Sequence, residues 1–204
     1  MIISIETSTS ELSLTLLNTE SILSHKSIPI KNELSEIIVP TIKMFLKNNL
    51  ISFDDISYLA VGCGPGSFTG IRAIISTALG ITISNRHIKN IGINSLAGLA
   101  MSALHEAKIL KLKYIISSID SKKDDLFLQL FKINNTKNKS LPIIAISDIN
   151  TVKIEKLYNY FVINNLTLTE ILFIGYQSDI AKNIIENLNV SKNSTQQPDS
   201  LGVG

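Results

Sequence analysis

The sequence predicts an α/β protein whose first half runs strand, strand, strand, helix, strand, helix, strand, helix, followed by a reduced second α/β unit. Three observations carry that prediction. The chain opens with three short apolar or alternating runs separated by clusters of Ser, Thr, Asn and Glu. A glycine-rich turn at 62–72 joins a buried-strand pattern to a helical one. A pair of strand patterns opens each half, first from Ile2 and again from Tyr114.

Residues 2–6, 12–17 and 22–28 read as consecutive strands, most simply a meander. Residues 33–48 place Leu34, Ile37, Ile38, Ile42 and Phe45 near helical spacing, with Asn32 as N-cap and Pro40 expected to kink the helix or shift its start. A buried strand at 58–62, a helix at 68–84, a strand at 88–93 and a helix at 95–107 complete the first half. Beyond it, 114–120 and 126–131 read as paired strands around the charged turn 121–125, and 134–140 as a polar loop. Helical stretches near 154–161 and 180–188 flank a strand at 171–175. From Asn189 the composition turns to Ser, Asn, Gln, Pro and Gly and predicts disorder. The expected organisation is a subdomain over 1–107, a smaller one over 108–188 and a disordered tail over 189–204.

Composition narrows the function. A chain of 204 residues with 45% hydrophobic side chains buries a sizeable core. At 18% charged residues and a net charge of +2, it has no large electropositive field to capture a phosphate backbone, so any contact with nucleic acid is expected to be indirect. The start lacks a basic n-region, and no apolar run reaches the roughly 18 residues that span a bilayer, which predicts a cytoplasmic protein. The single Cys63 has no disulfide partner, and His25, His87 and His105 lie far apart without ligand spacing, so no structural metal is expected.

The stretch Gly62-Cys63-Gly64-Pro65-Gly66-Ser67-Phe68-Thr69-Gly70-Ile71-Arg72 carries the most information. Glycines permit close backbone approach, and the helix start offers unpaired N–H groups, so a phosphate cradle is one reading. The known codes do not fit it. Thr69 stands where a dinucleotide fingerprint begun at Gly64 needs its third glycine, and no Gly-Lys-Ser or Gly-Lys-Thr follows. Pro65 and Thr69 flank Ser67 where a nucleophile elbow needs glycine. A tight strand-to-helix turn capped by Ser67 or Thr69 is the favoured reading, with Cys63 a small buried residue.

Gly64 to Arg72, together with Ile-Ser-Ile-Glu-Thr-Ser-Thr at 3–9, Ile-Gly-Ile-Asn-Ser-Leu-Ala-Gly-Leu-Ala at 91–100 and Ile119-Asp120, resembles the TsaB (YeaZ) family over about residues 1–125. The resemblance implies the actin-like ATPase fold, a duplicated ribonuclease-H-like unit whose repeating half has the strand and helix order read above, here with two mixed-sheet subdomains and a degenerate second one. It implies a part in placing a threonylcarbamoyl group on N6 of the adenosine 3′-adjacent to the anticodon, in tRNAs that read codons beginning with adenine. The catalytic paralogue TsaD and the ATPase TsaE are the implied partners. ATP and metal are handled by those subunits, and no cofactor is expected here. The catalytic paralogue has a His-x-x-x-His metal pair in its first helix, whereas residues 34–40 have no histidine. Many family members have a histidine where Leu34 stands, and most have aspartate where Glu6 stands.

With no catalytic residues expected, the working surface should be an interface. Gly70, Ala73, Thr77, Gly80 and Ser84 recur at spacings of three and four and line one stripe of the second helix. Ile71, Ile75, Leu79 and Ile83 on the other side are expected to fill the core. The small stripe fits either this chain's own sheet or a partner helix. The resemblance favours the partner, because family members pair through a bundle of the first two helices of each subunit. From the first helix, Ile38, Ile42 and Phe45, or the neighbouring Val39, Lys43 and Leu46, would join it, and alone the chain is open to pairing with a copy of itself. Arg72 reads as a salt-bridge former and Asp120 as the start of a solvated turn. Two other classes remain open: an autonomous ATPase or kinase, which needs phosphate loops in both halves, and a peptidase, which needs a nucleophile with a base or a metal pair.

Overall fold

A computed structural model describes residues 1–31, 34–123, 125–134, 141–192 and 196–204. The chain divides into two compact units, one of Met1–Gly98 with Pro198–Gly204, the other of Leu99–Gln197. The division falls nine residues earlier than the sequence suggests. Asn32, the expected N-cap, and Asp124 of the charged turn lie outside the described residues, as does most of the polar loop at 134–140.

In the first unit, β1 (Ile2–Glu6), β2 (Glu11–Leu17), β3 (Ile22–Pro29), α1 (Leu34–Asn48), β4 (Tyr58–Gly62), α2 (Phe68–Ser84), β5 (Lys89–Ile93) and the start of α3 (Ser95–Ser102) follow the expected order. The sheet order is β3-β2-β1-β4-β5. The first three strands form the antiparallel meander, and β4 and β5 add in parallel, Ile2 facing Leu17 on one side and Tyr58 on the other. Parallel addition requires crossovers, which α1 and α2 supply.

Strand alternation gives this sheet two unlike faces. One face points Ile3, Ile5, Leu12, Leu14, Leu16, Leu59 and Val61 at α1 and α2, where Leu34, Ile38, Ile42, Phe45, Ile74 and Ala78 complete the core. Each Ile, Leu, Val or Phe among them contributes about 1.5–3 kcal/mol on full burial. The helix runs through Pro40, which lies on its exposed side. The carbonyl of Glu36, left without a donor because Pro40 has no N–H, is also on an exposed residue, where water can serve it.

The second unit holds α4 (Leu104–Ile109), β6 (Tyr114–Asp120), β7 (Asp125–Ile133), β8 (Ile143–Ala145), β9 (Asn150–Lys153), α5 (Leu157–Ile163), β10 (Ile171–Gly175), α6 (Ser178–Ile184) and β11 (Asn189–Val190). Its sheet order is β11-β10-β6-β7-β8, with β9 also on β7. That order repeats the first sheet, the third-strand position being split between β8 and β9. The copy is degenerate in length: α5 and α6 have 7 residues each, against 15 and 17 in α1 and α2. The single helix expected over 95–107 is two, broken at Ala103, a fully buried residue in the αR region.

Within the tail expected to be disordered, the described residues 189–192 and 196–204 hold a strand and a helix. β11 joins the second sheet beside β10, and α7 (Ser200–Val203) belongs to the first unit. There it covers the second face of the first sheet, which is lined by hydroxyls. Ser4 Oγ donates to Ser200 O at 2.6 Å, Ser200 N donates to Ser13 Oγ at 2.7 Å, and the Ser200 and Thr15 hydroxyls lie 2.7 Å apart. Asp199 caps the helix through Leu201 N and Gly202 N.

Candidate functional site

Two features account for the residues singled out in the sequence: a buried brace at the glycine-rich turn and the outward face of α1 and α2.

The brace gathers the ends of β1 and β4 with the starts of α2 and α3. Glu6, at the end of β1, is fully buried. Its Oε1 accepts from Thr7 N at 2.8 Å and Ser8 N at 2.6 Å, and its Oε2 accepts from Ser95 Oγ at 2.8 Å. Ser95 in turn accepts from Gly64 N at 3.2 Å and donates its own N–H to Gly64 O at 2.8 Å. Ser67 N donates to Ser8 O at 2.6 Å, and Thr7 Oγ1 donates to Gly70 O at 2.9 Å. Ser67 caps α2, accepting from Gly70 N.

The glycines serve close approach. A Cβ on Gly62 would lie 1.9 Å from Glu6 Oε2, and one on Gly70 would lie 2.1 Å from Thr7 O. Gly64, Pro65, Gly66 and Ser67 are the strap between these contacts, while Phe68, Thr69 and Arg72 project outward. Burial pushes the Glu6 carboxyl above its ordinary value against the opposing pull of its hydrogen bonds. Oε1 thus serves two donors of the brace and Oε2 one. Among the described residues, no three His, Cys, Asp or Glu side chains gather closely enough to hold a metal ion. His25 Nδ1 lies 2.9 Å from Thr15 Oγ1, and His87 Nε2 lies 3.1 Å from Phe53 O. Cys63 is exposed, not the buried residue expected, although partial desolvation of its thiol raises its pKa. At the end of β6, burial raises the Asp120 pKa, but the Lys122 ammonium and N–H, each 2.8 Å away, outweigh it and hold the carboxyl below its usual range. That is the solvated turn expected.

The helix faces differ from the expected phase. Ile38, Ile42 and Phe45 of α1 are all in the core, as is Leu46, so Val39, Lys43 and Met44 form the outward side. On α2, Gly70, Ile74 and Ala78 face the core. Ile71 and Ile75 are half-buried, while Leu79 is 53% and Ile83 74% exposed, instead of filling the core. The reason is helical drift: four residues overshoot one turn by about 40°, so an i, i+4 series winds from the core edge to solvent over three steps. The small series also winds. Gly70 is buried, Ala73 and Thr77 are half-buried, and Gly80 and Ser84 are exposed. Ala73 packs against the edge of the core, and with Thr77 it lines an open groove that Ser35 of α1 also borders.

The true outward stripe of α2 is Phe68, Arg72, Ser76, Leu79 and Ile83, spaced 4, 4, 3 and 4 and all exposed. Phe68 is 72% exposed, and its ring lies 5.1 Å below the Arg72 guanidinium. The stripe is hard to find by sequence because it mixes Arg72 and Ser76 with Phe68, Leu79 and Ile83, and apolar residues occur on more than one side of α2.

A family profile described as TsaD, tRNA N6-adenosine threonylcarbamoyltransferase, matches residues 22–199. The tRNA threonylcarbamoyladenosine biosynthesis protein TsaB of Buchnera aphidicola subsp. Acyrthosiphon pisum is 31% identical over 167 residues, covering 81% of this chain and 70% of the relative. TsaB of Escherichia coli (strain K12) is 29% identical over 126 residues, 62% of this chain and 52% of the relative. TsaB of Buchnera aphidicola subsp. Schizaphis graminum is 35% identical over 99 residues, 48% and 45% of the two chains. The matched part thus spans about half the length of these last two curated relatives. In fold, the chain resembles YeaZ from Pseudomonas aeruginosa with a TM-score of 0.74 at 16% identity, over 99% of this chain and 88% of the other. It also resembles component A of the (R)-2-hydroxyglutaryl-CoA dehydratase of Acidaminococcus fermentans, with a TM-score of 0.56 at 11% identity over 99% and 95%.

Proposed function

The chain belongs to the TsaB (YeaZ) family, and on that premise we propose that it acts as a non-catalytic, partner-binding subunit in the attachment of a threonylcarbamoyl group to tRNA. Its partner is a TsaD-like paralogue that holds metal and substrate, with a TsaE-like ATPase acting on the pair. The modified atom is N6 of the adenosine 3′-adjacent to the anticodon in tRNAs reading codons that begin with adenine. The chain contributes no cofactor and meets tRNA only through the assembly, in the cytoplasm. No helix among the described residues is long and apolar enough to cross a membrane.

The observation that carries this reading is the contrast between the two features of the site. Glu6 and the glycine turn are spent on holding β1, β4, α2 and α3 together, whereas Phe68, Leu79, Ile83, Val39 and Met44 stand exposed on neighbouring helices. Apolar side chains grouped on a helical face are the surface that a partner's helices bury. The test is size-exclusion chromatography with light scattering of the full chain mixed with the TsaD homologue of the same organism. The reading expects a heterodimer that Leu79→Glu and Ile83→Glu abolish without lowering the melting temperature. Separate peaks for the wild-type pair would overturn it.

A further inference from the structure

The face of the first sheet turned away from α1 and α2 holds a chain of polar groups that runs from buried α7 to an exposed imidazole. We infer that His25, Thr15 and Ser200 form a pH-sensitive latch, which holds α7 on the sheet while the imidazole is neutral and loosens when it takes up a proton. Histidine is the side chain whose charge ordinarily changes within the physiological range.

Strand register brings the three groups together. Leu12, Leu14 and Leu16 of β2 enter the core, so Thr15 points to the other face, and its partner His25 on β3 shares that face. Thr15 Oγ1 lies 2.9 Å from His25 Nδ1 and 2.7 Å from Ser200 Oγ. Thr15 and Ser200 are fully buried, whereas His25 is exposed to solvent protons. Among the described residues, Thr15 Oγ1 is the one partner of the Ser200 hydroxyl.

A hydroxyl carries one proton, so each link donates in one direction at a time. With the proton of a neutral imidazole on Nε2, Nδ1 accepts from Thr15 and Thr15 accepts from Ser200. Both hydroxyl protons are then placed. An imidazolium carries N–H at both ring nitrogens. Thr15 must then accept from Nδ1 and turn its own proton toward Ser200, which leaves the buried Ser200 proton without an acceptor in the chain. A buried donor without its partner weakens the docked arrangement. The other ties of α7 are neutral: Ser4 Oγ donates to Ser200 O, Ser200 N donates to Ser13 Oγ, and Val203 is buried. Protonation therefore loosens α7 and does not release it outright.

The other titratable side chains on this face of β1, β2 and α7 are Glu6, Glu11 and Asp199, and each holds donors of its own. Glu11 Oε2 accepts from Ser27 Oγ at 2.6 Å, and Asp199 Oδ1 accepts from Leu201 N at 3.0 Å and Gly202 N at 3.2 Å. Docking of α7 strengthens as pH rises through the imidazole titration and weakens as pH falls through it. Glu6, with its raised pKa, acts in the opposite sense. The two titrations are thus told apart by sign.

The experiment is amide exchange by NMR on the full chain at about pH 5 and about pH 8, either side of the imidazole titration. Protection factors, corrected for the intrinsic rates, are read at Ser200 and along β2, with β6 and β10 as internal controls. Melting temperatures confirm that each variant folds. In the wild type, protection at Ser200 is expected to be about tenfold lower at the acid pH. His25→Asn places a neutral amide oxygen near the position of Nδ1 and should hold the higher protection at both. Thr15→Val cuts the chain and should give the lower protection at both. Equal wild-type protection at the two pH values overturns the latch. So does an acid loss that survives His25→Asn or Thr15→Val, which assigns it to Glu11 or Asp199, and so does a loss shared equally by β6 and β10, which is global.

Discussion

The Ser95 hydroxyl donates to Glu6 Oε2 at 2.8 Å across 89 positions of sequence, and so closes the start of α3 onto the end of β1. Ser95 Oγ in turn accepts from Gly64 N, which makes Ser95 the joint between the buried carboxylate and the glycine turn. Ser95→Ala leaves the buried Glu6 Oε2 without its donor and Gly64 N without its acceptor, an expected cost of about 1–3 kcal/mol. Thermal and urea unfolding followed by circular dichroism will read it. A loss within error of zero would mean that the joint carries no stability.

Glu6 also sets a pH dependence whose sign follows from its raised pKa. The folded chain takes up a proton at Glu6 at higher pH than the unfolded chain does. Stability from this group is full below the ordinary value of 4.5 and falls as pH rises through the folded value. Glu6→Gln, which stays neutral and keeps an oxygen for Thr7 N and Ser8 N, is expected to flatten that decline. The measurement is unfolding free energy against pH from about 4.5 upward for both proteins. A slope that survives the substitution assigns the titration to another group.

Two glycines of α2 are expected to respond to the same change in opposite directions. Gly70→Ala drives a methyl against Thr7 O, where an ideal Cβ lies at 2.1 Å, and should cost about 1–3 kcal/mol or more. Gly80 has nothing within 4 Å of its Cβ position and sits in the helix interior, so Gly80→Ala should stabilise by about 0.5–1 kcal/mol. Both melts are run side by side, and equal shifts would contradict the packing at Thr7.

Sequence alone read much of the first unit, and its failures have physical causes. The bounds of α2 coincide with the expected 68–84, because strand, glycine turn and helical pattern are all local signals. The phase of α2 was misread because Ile71, Ile75, Leu79 and Ile83 look like one ridge until the drift of the helix is counted. On α1, the choice between the Ile38 and Val39 faces depends on the sheet beneath, which no helical periodicity reports. β9, with Val152 its one apolar residue, carries almost no strand pattern and exists through its pairing with β7. α7 has no local signal either: four residues are fixed by hydroxyls nearly two hundred positions earlier. At the site, the glycine turn was legible as a tight structural turn, but its tie to Glu6 and Ser95 is purely tertiary.

The returning helix makes a prediction for the first unit. Ser200 and Val203 are buried on the hydroxyl face of the sheet. Deleting Pro198–Gly204 removes the burial of Val203, about 1.5–3 kcal/mol, and leaves Ser4 and Ser13 without their Ser200 partners. Amide exchange in β1 and β2 is expected to rise while β6 and β10 keep their protection. Unchanged exchange in β1 and β2 would show that the sheet does not depend on this cover.

The sharpest contrast lies along α2 itself, between Ile74 and Ile83. Ile74 is fully buried among the residues that join α2 to the sheet, and Ile74→Ala should cost about 2–5 kcal/mol through lost burial and the cavity left behind. Ile83 stands 74% exposed, so Ile83→Ala should change stability by no more than about 0.5 kcal/mol. Pairing with a TsaD-like partner should rank the two the other way, Ile83→Ala weakening the complex and Ile74→Ala sparing it at temperatures where the variant stays folded. One thermal melt and one affinity per variant decide the matter. If Ile83→Ala left pairing untouched while Ile74→Ala weakened it without unfolding, the outward stripe of α2 would not be the surface at work.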